Sequence, residues 1–162
     1  MQTTDHPAYV LWDESVLEKP ESLKAERLCA VRSSKAARLK RIKPGYFNPP
    51  GGRPICVPGF HWLQIVVAGM KGAARLAHLH WWTSRGKGAS DKRTEEEKVL
   101  RVVARAWKNR VIHIFDQGFA GAPWLSLLLR FRVRFLLRWK KTYSLIGPQG
   151  QAKSAGQLVA WK

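Results

Sequence analysis

Two aspartates stand where strand-like runs end, and a pair of carboxylates brought together in that way is a donor set that hard divalent cations accept. Asp116 closes the run Val111-Ile112-His113-Ile114-Phe115 and is followed at once by Gln117-Gly118-Phe119-Ala120-Gly121. Asp13 follows Tyr9-Val10-Leu11-Trp12 in the same manner. Set side by side, two such ends would hold a metal ion. An Asp after a strand is also a common turn residue or the N-cap of the next helix, and from these residues alone both readings stand. His78 and His80, two apart on a strand-like run, share a face. Zinc there would need further ligands, and none is evident nearby, so hydrogen-bonding or strand-face histidines are the simpler reading.

The elements that must position the aspartates can be read along the chain. A short buried strand over residues 8 to 12 should end at Asp13 and lie centrally. A basic stretch from Lys24 to Lys43, expected to be part helical, leads into the Pro- and Gly-rich segment Pro44 to Pro54, which cannot hold regular structure. Together they form an insertion at about 20–59. His61 to Gly69 and Leu76 to Thr83 should pair as an antiparallel hairpin. A helix follows, capped by Thr94 with Glu97 at capping-box spacing and with apolar residues at 99, 102/103 and 106/107 on its buried face. The strand ending at Asp116 comes next, then a helix with Pro123 in its first turn running to about Arg130 or Phe131, then a strand from Val133 to Trp139. The remaining residues look weakly structured. Three strands in a meander, followed by strands joined through helices, imply a single α/β domain with a mixed sheet and flanking helices.

Composition points to a partner. The chain has 162 residues, with 29 Lys and Arg against 11 Asp and Glu and a formal net charge of +18. A small domain needs a net charge of only about 2–8 for solubility, so the excess favours a polyanion, and nucleic acid is the first candidate. The basic stretch with nearby Tyr46 and Phe47 suits phosphate contact. Arg132, Arg134, Arg138 and Lys140 would line one face of the last strand, with Val133, Phe135 and Leu137 opposite. Most of the eight Trp residues follow apolar periodicity and belong in the core, while the adjacent Trp81 and Trp82 should face opposite ways with one exposed. Cys29 and Cys56 form no Cys-x-x-Cys pair, which fits a reducing, cytoplasmic setting rather than a disulfide framework or a structural zinc site. The longest apolar stretch is too short for a membrane span of about 20 residues.

This succession resembles the ribonuclease-H-like core of the DDE transposases. Asp13-Glu14-Ser15-Val16-Leu17-Glu18-Lys19-Pro20 is similar to the first-carboxylate motif of the IS4-like transposases, and Phe115-Asp116-Gln117-Gly118-Phe119-Ala120-Gly121-Ala122-Pro123-Trp124 to their second. Arg38 to Gly45, Trp81-Trp82-Thr83-Ser84-Arg85-Gly86 and Phe135-Leu136-Leu137-Arg138-Trp139-Lys140-Lys141 also look like that family's. The resemblance implies metal-dependent DNA cleavage and strand transfer, with Mg²⁺ or Mn²⁺ as cofactor and DNA as substrate. Two ions about 3.5–4 Å apart serve such an in-line displacement. By the family's logic Asp13 would bridge both ions and Asp116 would bind one, while strand alternation sends Glu14 to the other face. The candidate DNA contacts are Lys35, Arg38, Lys40, Arg41, Lys43, Arg85, Arg138 and Lys140.

No Asp or Glu follows Asp116, whereas the family's third carboxylate lies on a helix downstream of the last core strand. The resemblance therefore implies a partial ribonuclease-H-like domain over 1–162, incomplete at its C-terminal end, without strand-transfer activity when alone, with other transposase subunits or fragments as candidate partners in a cytoplasmic, nucleoid-associated setting. Whether the chain is an enzyme stays open at this point. The alternative is a non-catalytic, sequence-independent basic nucleic-acid-binding protein.

Overall fold

The computed structural model describes residues 8–22, 26–33, 56–69, 72–146 and 149–154. Apolar alternation builds its central strand. In β1 (Ala8–Glu18) the side chains of Val10 and Trp12 are buried while Leu11 and Asp13 face out, the period of two expected of a pleated strand. β1 pairs antiparallel with β3 (Cys56–Ala68) from Tyr9↔Ala68 to Glu18↔Gly59. On its other edge it pairs in parallel with β5 (Val111–Phe115), from Ala8↔Val111 to Trp12↔Phe115. β6 (Arg134–Leu137) lies parallel to β5. β2 (Cys29–Arg32) and β4 (Arg75–Trp82) share the far edge of β3.

The result is a mixed α/β fold with a six-stranded mixed sheet. The two α-helices among the described residues sit between β4 and β5 and between β5 and β6. The expected hairpin is present as β3 and β4. Trp82 is buried and Trp81 is 42% exposed, the split that alternation requires.

α1 (Lys92–Trp107) begins earlier than expected and is capped by Asp91, not Thr94. The Asp91 carboxylate accepts from the Thr94 backbone N at 3.1 Å and from its hydroxyl at 2.6 Å, so the Thr is recruited into the first turn instead of opening it. Val99, Leu100, Val103 and Ala104 face the core, while Val102 is exposed. α2 (Ala122–Arg130) carries Pro in its first turn, as expected, and buries Trp124, Leu127 and Leu128. Trp12, Phe115, Phe119 and Trp124 form the aromatic centre, with ring centroids 5.2 Å apart for Trp12 and Phe115 and 5.3 Å for Phe115 and Trp124. Both helices pack into this one cluster. The opposite face of the sheet carries exposed apolar side chains, Leu11, Leu76, Trp81 and Leu136 among them.

Two further expectations need correction, and a third falls largely outside the described residues. β1 does not stop at Trp12, because β3 continues to pair with it as far as Glu18. Of the basic stretch, residues 26–33 hold the strand β2 and no helix; residues 34–55, with the Pro- and Gly-rich segment, lie outside the described residues. The C-terminal part carries a small antiparallel ribbon, β7 (Ser144–Ile146) with β8 (Ala152–Ser154). No helix among the described residues is long and apolar enough to cross a membrane.

Candidate functional site

The parallel pairing of β1 with β5 ends at Trp12↔Phe115. The next residue on one chain segment is Asp13 and on the other Asp116, so the two carboxylates follow the same register step on neighbouring parallel strands. Asp13 lies on the face opposite buried Trp12 and is exposed. Its Oδ2 accepts from Nε2 of Gln64, its cross-strand partner on β3, at 2.7 Å. Asp116 is also exposed and caps a 3-10 turn, Gln117–Phe119, its Oδ1 accepting from the Gly118 backbone N at 2.8 Å. Phe119 anchors that turn in the aromatic centre. Asp116 is thus a cap as well as a strand-end carboxylate, and the two readings open in the sequence coexist.

Neither Asp13 Oδ1 nor Asp116 Oδ2 has a protein hydrogen-bond partner among the described residues. Each carboxylate thus keeps one oxygen of the hard kind that Mg²⁺ takes, an ion commonly held by one or two carboxylates with water and substrate phosphate completing its shell. No group of three His, Cys, Asp or Glu side chains suited to a metal occurs among the described residues. Glu14 faces the other way and pairs with Lys92 of α1. The histidine pair is stacked at 6.0 Å, and His80 Nε2 is engaged by Glu95 Oε2 at 2.5 Å. Burial acts to raise the Glu95 carboxyl, but hydrogen bonds from Lys98, Ser90 and His80 outweigh it and bring it down to about 2.

Of the expected DNA contacts, Lys35, Arg38, Lys40, Arg41 and Lys43 lie outside the described residues. Arg85 is exposed in the loop after β4, its backbone N on Thr83 Oγ1 at 3.2 Å. Since β4 and β1 are each antiparallel to β3, β4 runs with β1, β5 and β6. Arg85 therefore leaves the sheet at the same end of the strands as Asp116 and Arg138. The Arg138 backbone N donates to Phe115 O at 3.0 Å, holding the chain beyond β6 alongside the end of β5. Lys140 is turned onto Tyr143, with Nζ 3.2 Å from the phenol oxygen and 5.1 Å from the ring centre. Arg132 has a left-handed backbone in the turn before β6 and does not continue the strand's exposed row.

A cleft of about 340 Å³ opens at this end, lined by Gln117, Arg138, Trp139, Lys141 and Thr142. Gln117, Lys141 and Thr142 had no distinguishing signal in the sequence, because the cleft exists only once the turn after β5 meets the turn after β6. Gln64 would have been found from the β1 and β3 register. Neither a protein-family model nor a curated protein matches this chain.

Proposed function

We propose that the chain is a ribonuclease-H-like core of the DDE transposase type that binds DNA and a divalent cation through Asp13 and Asp116. The observation that carries this reading is the register of β1 and β5, which brings one Asp from each strand to the same step just past the end of their shared ladder. Two features support it: the strand order β2-β3-β1-β5-β6, with β4 also paired to β3 and helices between β4 and β5 and between β5 and β6, and a formal charge of +18. In open sheets, ligands gather beyond the carboxyl ends of parallel strands.

Asp13 and Asp116 would hold the ion, Mg²⁺ or Mn²⁺, which when bound polarises a phosphoryl oxygen and activates an attacking hydroxyl. Gln64 orients the Asp13 carboxylate, and the Gly118 amide orients that of Asp116. Arg85 and Arg138 meet the phosphate backbone at the same end of the strands. With two carboxylates, the chain alone binds DNA and metal but does not carry out strand transfer.

The test is duplex binding followed by fluorescence anisotropy with Mg²⁺, Mn²⁺ or EDTA. Binding tightens severalfold with either metal, and Asp13→Asn with Asp116→Asn abolishes that increment while the salt-dependent part remains. A metal-independent affinity, indifferent to both substitutions and governed by salt alone, would replace this reading with the second one, a non-catalytic basic binder of nucleic acid. Nicking of DNA in Mg²⁺ that Asp116→Ala abolishes would show the chain to be catalytic on its own.

A further inference from the structure

We propose that the cleft bounded by Gln117, Arg138, Trp139, Lys141 and Thr142 is a phosphate-binding site, separate from the carboxylate pair and one residue away from it in sequence. Every side chain lining it can donate a hydrogen bond: an amide, a guanidinium, an indole N–H, an ammonium and a hydroxyl. None of them is an acid. Such a set suits an anion with several acceptor oxygens, and the planar fork of Arg matches phosphate in particular.

Two observations point to a ligand rather than to a solvated surface. The indole Nε1 of Trp139, a residue of the cleft wall, is buried without a hydrogen-bond partner, and a buried donor left unmatched is costly. Arg138 and Lys141 also take part in none of the ion pairs among the described residues, so both charges stay available to an anion. The walls are braced. Arg138 is tied to β5 through Phe115 O, Tyr143 N donates to Lys140 O at 3.0 Å, and the Trp139 and Tyr143 rings meet edge to face at 5.7 Å. The volume of about 340 Å³ exceeds a lone phosphate, leaving room for the sugar of a nucleotide unit.

The ligand's chemistry is a phosphate group, either a phosphodiester of a DNA strand or a free phosphate. The strand source rests on the DNA-core reading and would seat a backbone phosphate next to Asp116. The experiment uses the full chain and compares Arg138→Gln/Lys141→Gln with the charge-matched Lys87→Gln/Arg105→Gln, whose residues are exposed and far from the cleft in sequence. Duplex DNA affinity and the melting temperature in inorganic phosphate are both read. For a strand phosphate, the cleft variant loses about tenfold or more in DNA affinity and its salt slope falls by about two, one for each cation, while the control loses much less. Trp139→Phe then weakens binding without changing the slope, since it removes a donor and no charge. For free phosphate, the wild-type chain is stabilised by the anion and the cleft variant is not, with DNA affinity equal in the two doubles. Equal losses in both doubles, with no response to phosphate in the wild type, overturn the site. Should Arg138→Gln prevent folding, Lys141→Gln against Lys87→Gln gives the same comparison. Loss of the metal increment in Asp13→Asn/Asp116→Asn is read separately, so the carboxylate pair and the cleft can fail independently.

Discussion

Glu96 is the residue whose ionisation the fold resists most openly. It sits on the core side of α1 with no exposed surface. Arg93 is 2.9 Å away and Lys92 3.7 Å, yet neither carboxylate oxygen has a well-formed hydrogen bond. Burial therefore prevails over the two cations, Glu14 adds like charge, and the carboxyl is raised from 4.5 to about 7. For an acid raised in the folded state, the unfolded chain gives up its proton first. The penalty is absent below about 4.5, grows as pH rises towards 7, and is full above it. Glu96→Gln should accordingly stabilise the protein at pH 8, by on the order of 2–3 kcal/mol for a shift of this size, and leave it unchanged at pH 4. Urea denaturation at the two pH values measures this, and an equal effect at both would show that the substitution acts through packing instead. None of this was legible in the sequence, where Glu96 is one of three consecutive Glu residues in a first turn; which of them turns inward depends on where Asp91 starts the helix.

At the scale of elements, Gly59 shows why the sheet can be three strands wide at its β2 end. It pairs with Glu18 of β1 on one side and Cys29 of β2 on the other. A Cβ there would run into the Leu17 carbonyl oxygen and come within 2.6 Å of Val31 Cγ2. Val31, Val57 and Cys29 form the small second cluster of the core, against which Val16 packs. Gly59→Ala should cost about 1–3 kcal/mol, the usual range for overpacking, seen as a lower denaturation midpoint; an unchanged midpoint would mean that β1 and β2 can part without loss. The elements legible in the sequence were those with a strong local period or a breaker at the right place: the β3 and β4 hairpin, β5 up to Asp116, and α2 with Pro123. Those misread owe their form to partners. β1 runs on to Glu18 because β3 is long enough to accompany it. β2 forms within a basic stretch because Cys29 and Val31 find Val57 and Gly59 across the ladder. Asp116 was legible as a strand end, whereas Asp13 lies inside β1, and the register the two share is a property of the sheet.

For the whole molecule, the decisive arrangement is that the earliest of the described strands is the one in the middle. β1 finds β3 within the first half of the chain, but its other edge is matched only by β5, and the buried bond from Trp12 Nε1 to His113 Nδ1, 3.0 Å long, joins residues 101 positions apart. During synthesis, therefore, β1 holds one bare row of backbone donors and acceptors until α1 and β5 have left the ribosome. An unpaired edge of this kind invites pairing with other chains. Closing so large a loop in parallel is also slow, which sets the expected refolding in the millisecond-to-second range typical of non-local topologies. Stopped-flow tryptophan fluorescence would read this through Trp12 and Trp124, and a dominant microsecond phase would contradict it. The aspartate pair is made by the same event: Asp13 and Asp116 become neighbours only when that last central ladder zips, so whatever they bind is offered no partial version of the site by a half-folded chain.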